Sequence, residues 1–213
     1  VKFVDRTFNC NPRRTVELLN WIQKHDNGVT NFHFEIAADI TTEEELTIME
    51  QMRPGLIQLE IGVQSTNPKT VEAIHRTMDL TKLAEVVSRV KGFGNIHQHL
   101  DLIAGLPYEN LESFQKSFDD VYGMQPDQLQ LGFLKVLKGS GMKEDADGYE
   151  IRYHEHAPYE VLTTRWLNYG EVLTLKGVEE MVEVYYNSRQ FDRTIAHIME
   201  QYDSPYRFFL ELA

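Results

Sequence analysis

The fold turns on residues 97–107, His97-Gln98-His99-Leu100-Asp101-Leu102-Ile103-Ala104-Gly105-Leu106-Pro107. Leu100 and Leu102 alternate with His97, His99 and Asp101, which is the period of two that a strand imposes on its side chains. Gly105 and Pro107 stop the run, and residues 111–122 then read as a helix. The same unit recurs on both sides. Strands are expected at residues 2–5, 31–37, 56–63, 96–104 and 128–134, with amphipathic helices between them. Strands separated by single helices indicate right-handed crossovers and a parallel sheet. Five in series fit either part of a β/α barrel or an open doubly wound sheet. After Gly139-Ser140-Gly141 the rhythm changes. Residues 142–157 read as a charged connector and 158–213 as a helical extension with no strand.

Composition narrows the function. Of 213 residues, 33 are acidic and 21 basic, a formal charge of −12 that the phosphates of a nucleic acid would repel. Hydrophobic residues at 42% are enough for a packed core, and no apolar run approaches a membrane span. A single cysteine, Cys10, excludes an internal disulfide framework and any site needing several thiolates from this chain alone. No secretory leader opens the sequence, so a cytoplasmic protein is expected. The chain begins with Val1 inside what reads as a strand, and is therefore expected to be a fragment of something longer.

The strands are polar where a covered parallel sheet is apolar. Phe32, Phe34 and Ile36 alternate with His33 and Glu35; Ile57, Leu59, Ile61 and Val63 alternate with Gln58, Glu60, Gly62 and Gln64; Leu129, Leu131 and Phe133 alternate with Gln128, Gln130 and Gly132. Uncompensated burial of so many polar groups costs roughly 2–7 kcal/mol each. That face must meet a ligand, water or itself, and a concave lumen holding a polar ligand fits better than an open sheet with one wet face. His97 and His99, two apart on one strand, are candidate ligands of a divalent metal. With His33, Glu35 and Asp101 they make a barrel-type metal-dependent hydrolase the alternative reading. Gly62-Val63-Gln64-Ser65 closes a strand before a helix, where backbone amides suit a carboxylate or phosphate.

Several motifs in order resemble one family. They are Gly62-Val63-Gln64-Ser65, Arg76, Asp101-Leu102-Ile103-Ala104-Gly105-Leu106-Pro107, Pro126-Asp127-Gln128-Leu129-Gln130-Leu131 and Leu134-Lys135-Val136-Leu137-Lys138-Gly139-Ser140. Over residues 1–141 this pattern resembles the radical S-adenosylmethionine enzymes, notably the oxygen-independent coproporphyrinogen III oxidase group. It is also similar to that group's cobalamin-binding relatives, often labelled anaerobic magnesium-protoporphyrin monomethyl ester cyclases. The resemblance implies an α/β fold, a partial (β/α)6 TIM-like barrel missing its first strand, with a C-terminal helical extension. It implies S-adenosylmethionine across the lumen, with Gln64 and Asp101 on the ribose hydroxyls, Arg76 on the methionine carboxylate and Glu35 lining the pocket. It assigns no catalytic residue. The implied activity is reductive cleavage of S-adenosylmethionine to a 5′-deoxyadenosyl radical, acting on a small-molecule substrate, with a tetrapyrrole-like one among the options. A flavodoxin or ferredoxin would supply the electron. The implied 4Fe-4S cluster needs the family's CxxxCxxC loop, which this chain lacks, so the fragment alone is expected to be inactive. Cobalamin, through an upstream domain, is a further cofactor the resemblance admits.

Overall fold

Alternating runs become strands where their apolar half can be buried. In the computed structural model, which describes residues 1–213, β1 (Phe32–Ile36), β2 (Ile57–Gln64), β3 (His97–Ala104) and β4 (Gln128–Phe133) form one four-stranded sheet in the order β1-β2-β3-β4. β1 and β2 run parallel, from Phe32 opposite Ile57 to Ile36 opposite Ile61. Helix α1 (Pro12–Lys24) precedes β1, and α2 (Glu43–Glu50) joins β1 to β2. Helices α3 (Pro68–Ala73) and α4 (Leu80–Phe93) join β2 to β3, and α5 (Leu111–Gly123) joins β3 to β4. Each strand neighbours the next in sequence, so these four strands lack the reversal that defines a doubly wound sheet.

Two expectations are corrected. The predicted strand at residues 2–5 is a single parallel bridge, Lys2 opposite His33. The chain leaves the sheet because Asp5 pairs with Arg14 of α1 at 3.0 Å and Val4 has no apolar cover, being 94% exposed. The C-terminal stretch is not wholly helical either. β5 (Arg152–Tyr153) and β6 (Val161–Thr163) form an antiparallel pair. Two- and three-residue strands are too short to show alternation. Around them lie α6 (Gly141–Asp145), α7 (Tyr169–Met181), a π-helical continuation Val182–Asn187, α8 (Asp192–Met199) and α9 (Pro205–Leu212).

The chain divides into two compact units. The first comprises residues 1–62, 78–100 and 124–128. Its core takes Leu19 and Ile22 from α1, Phe34 from β1, Leu59 and Ile61 from β2, and Leu83, Val87 and Val90 from α4, all buried. Helix starts here are satisfied by the chain. Asn11 accepts from the Arg14 amide at 3.2 Å with Pro12 at the first helical position, and Thr42 and Glu45 form a reciprocal capping box.

The second unit comprises residues 63–77, 101–123 and 129–213. One part of its core is aromatic, with Phe118 against Tyr206 and Phe209 at centroid separations of 5.7 and 5.8 Å. The other is aliphatic, and joins Leu106, Leu134 and Val136 to Ala146, Ile151 and Val161. Backbone bonds carry the C-terminal segment onto the end of β4. The Val161 amide donates to the Leu134 carbonyl and the Val136 amide to the Tyr159 carbonyl, both at 2.9 Å. Gly105 makes room for this. Its φ is +88°, and a Cβ there would lie 2.7 Å from Val161 Cγ1. Gly105→Ala is therefore expected to destabilise the chain by about 2–4 kcal/mol, from backbone strain plus overpacking. Denaturant midpoints measure this. A double-mutant cycle with Val161→Ala should return a coupling well above zero, and additive effects would refute the steric account.

Candidate functional site

The second unit contains a cavity of about 340 Å³ at the carboxyl ends of its strand segments. Gln64, Asp101, Ile103, Gln130, Gly132 and Lys135 are among the residues that line it. Strand alternation explains who faces it. Along β2 every second residue from Ile57 to Val63 is buried, which leaves Gln58, Glu60, Gly62 and Gln64 on the other face. Leu102 is fully buried on β3, so the half-buried Asp101 and Ile103 face the other way, towards the cavity. That volume is within the range of small-molecule and cofactor sites.

Gln64 is the most constrained residue on the wall. Its φ is +70°, a left-handed conformation unusual for a residue with a side chain. The Ser65 amide donates across it to the Val63 carbonyl at 2.9 Å, closing a three-residue turn of the rarer, strained hand. The Gln64 Oε1 atom is buried and has no hydrogen-bond partner within the chain. A buried amide oxygen left bare costs about 1–3 kcal/mol, and a ligand donor removes that cost.

Behind the turn lies a buried carboxyl. Glu109 is 0% exposed, and its Oε1 accepts from Ser65 Oγ at 2.7 Å and from Ser117 Oγ at 2.9 Å. The Ser65 hydroxyl also accepts from the Asn67 amide at 3.0 Å, and the Asn67 side chain donates to the Tyr108 carbonyl at 2.8 Å. Thr66 continues the network, its amide donating to Ser117 Oγ at 3.1 Å and its hydroxyl to Asp120 at 2.6 Å. Burial pushes the Glu109 carboxyl up to about 7, although the two hydroxyls act to lower it.

The residues expected to bind cofactor fall in different places. Gln64 and Asp101 share the cavity wall. Arg76 lies just beyond α3, half-buried, its amide donating to the Val71 carbonyl at 3.1 Å, and it is not among the lining residues. Glu35 is in the first unit, on β1 opposite Glu60. There the Glu60 carboxylate, despite a burial effect that opposes it, is held below its usual range by Lys2 at 2.9 Å and by His33 at 2.7 Å. At the helix start after Ser65, Pro68 has no amide hydrogen and the Lys69 amide is taken by the Asn67 side chain at 3.1 Å. Nor do three His, Cys, Asp or Glu side chains converge to hold a metal ion, so the His97/His99 hydrolase is not favoured. His97 is exposed while His99 is 7% exposed, so the two do not share one environment.

Comparison with known proteins bears on the whole chain. Residues 147–213 match a family described as "Protein of unknown function (DUF4080)". Oxygen-independent coproporphyrinogen III oxidase of Salmonella typhimurium is 30% identical over 107 residues, 47% of this chain and 23% of that protein. The oxidase-like protein HemZ of Bacillus subtilis is 29% identical over 119 residues, 55% of this chain and 23% of the relative. The chain is related to the radical S-adenosylmethionine enzymes. Solved structures agree on the fold. The radical S-adenosylmethionine methyltransferase TsrM of Kitasatospora setae superposes with a TM-score of 0.60 over 74% of this chain and 33% of its own, at 14% identity. Coproporphyrinogen III oxidase HemN of Escherichia coli gives 0.56 over 78% and 36%, at 18% identity. The matched region thus spans about a quarter of the length of these curated relatives.

The sequence alone gave no role to Glu109, Ser117 or Lys135. One sign was available for the pair. Ser117 interrupts the apolar stripe of Phe114, Phe118 and Val121 on α5, and a hydroxyl on a buried stripe needs a partner. A pH dependence follows from Glu109. Its folded value of about 7 exceeds the ordinary 4.5, so the folded state holds the proton more tightly. Stability therefore falls as pH rises through that window and is flat above it, a difference on the order of 3 kcal/mol. Urea denaturation at several pH values should show this slope, and Glu109→Gln should abolish it. An identical slope in the variant would remove Glu109 as its source.

Proposed function

We propose that the cavity at the ends of β2, β3 and β4 is the S-adenosylmethionine pocket of a radical S-adenosylmethionine oxidoreductase. One observation carries this: the buried, unpartnered Gln64 Oε1 shares the wall with Asp101. A ribose diol offers two donors to such a pair of acceptors. On this reading Asp101 and Gln64 hold the two hydroxyls. Arg76 meets the methionine carboxylate as a guanidinium fork. The strand order, advancing in one direction, supports a partial (β/α)6 barrel. Residues 1–141 are the barrel part on this reading and 158–213 the extension, which falls within the span of the matched family of unknown function.

The cofactors divide by fit. S-adenosylmethionine fits the acceptors on the wall, and when bound beside a reduced cluster it supplies a carbon radical. The 4Fe-4S cluster does not fit this sequence, since Cys10 is its only cysteine and three thiolates are needed. The thiolates and any cobalamin site would come from outside these residues, and the electron from a flavodoxin or ferredoxin. The substrate is a small molecule, a tetrapyrrole-like compound being one option. The His97/His99 hydrolase stays the less favoured reading.

Calorimetry with S-adenosylmethionine tests the assignment. The chain should bind it, and Asp101→Ala should weaken binding about tenfold or more, as expected for loss of charge-assisted hydrogen bonds. Unchanged affinity in Asp101→Ala would sink the reading. Anaerobic reconstitution with iron and sulfide should leave this chain without the visible absorption of a 4Fe-4S cluster, and a stoichiometric cluster would overturn the fragment reading.

A further inference from the structure

The knot behind β2 has a geometry that plain structural polarity does not require. A strand that ends in a tight turn can use glycine where φ must be positive. Here Gly62 sits two residues too early, and Gln64 takes the positive φ instead. A positive φ at a residue with a side chain is strained, and persists where its surroundings over-determine it. Those surroundings are explicit. Ser65 is fixed three ways: its amide to Val63, its hydroxyl to Glu109, and the Asn67 amide to that hydroxyl. The loop bearing Glu109 is tied back by the Asn67–Tyr108 bond. The result is a Gln64 side chain on the cavity wall with its carbonyl oxygen bare.

We propose that Glu109 is a positioning residue, which through Ser65 holds the strained turn that sets Gln64 against a ligand hydroxyl in the cavity. The proposal rests on the reading of Gln64 as a cofactor residue, and adds the part that keeps it in place. Both contacts of Glu109 are hydroxyls, and its other oxygen, Oε2, is buried without a partner. The charged groups reached through the network are Asp120 and Lys116 of α5, paired with each other at 2.6 Å. They neutralise one another beyond Thr66, so what Glu109 contributes to Ser65 is an acceptor at a fixed place. A glutamine at 109 keeps that acceptor, whereas an alanine removes it.

The test separates turn geometry from binding. Nuclear magnetic resonance reads the Gln64 Cα and Cβ shifts, which report its left-handed φ, without ligand. Calorimetry reads affinity for S-adenosylhomocysteine, a stable probe. Glu109→Gln should leave the Gln64 shifts in place and change affinity less than about threefold, while Glu109→Ala should move the shifts and weaken binding about tenfold. Ser65→Ala removes only one hydroxyl and should match Glu109→Ala, so it serves where the larger deletion fails to fold. Unmoved Gln64 shifts in Ser65→Ala would overturn the proposal. Shifts that move as expected in a chain that binds no probe would uphold the turn's dependence on Glu109 and defeat the cofactor reading instead.

Discussion

A carboxyl group buried with no cation beside it is costly as an anion, and Glu109 meets that constraint by holding its proton to about 7. The contacts at the mouth of β2 run through this carboxyl. The two hydroxyls on Oε1 join the turn after β2 to α5 and to the loop after β3. A charged pair would do the same with greater strength, but an exposed one would be screened and a buried one would need desolvating twice. A neutral, hydrogen-bonded carboxyl is a smaller device. It can hold a strained residue in place without a strong field beside the cavity.

The fold was legible because alternation is a local signal. The Leu100–Asp101–Leu102 period and the Gly105–Pro107 stop needed no tertiary information, and β2, β3 and β4 lie within a residue or two of where the sequence places them. The misses share a cause. The strand at residues 2–5 has the right residues, but Asp5 answers to Arg14, which no window of that length contains. β6 is held onto the end of β4 by the Val161 bond to Leu134, and that partner leaves no trace in the composition of 161–163.

The cavity wall was legible in part, and its support was not. Gln64 and Asp101 stand out as polar residues on strands that ought to be apolar, and a family resemblance gives them a role. Glu109 sits in Tyr108-Glu109-Asn110 just ahead of α5, where nothing in the local sequence marks it for burial. Its burial is decided by Ser65, 44 positions earlier, and by α5 after it. Polar groups on the wall of a cavity stand out by being out of pattern along their strands. Polar groups that hold those groups in place look ordinary until the chain is folded.

The contact between Gly105 and Val161 has a consequence for inheritance. The glycine belongs to the Gly-Leu-Pro turn of the sheet, and the valine to the segment matched by a family of unknown function. A side chain at 105 would need a smaller residue at 161. A lineage that exchanged its C-terminal segment for an unrelated one would have to find a new residue to fill the space above that turn. Across homologues, positions 105 and 161 should therefore drift as a pair, and the two stretches of chain should have travelled together rather than been recombined as separable modules.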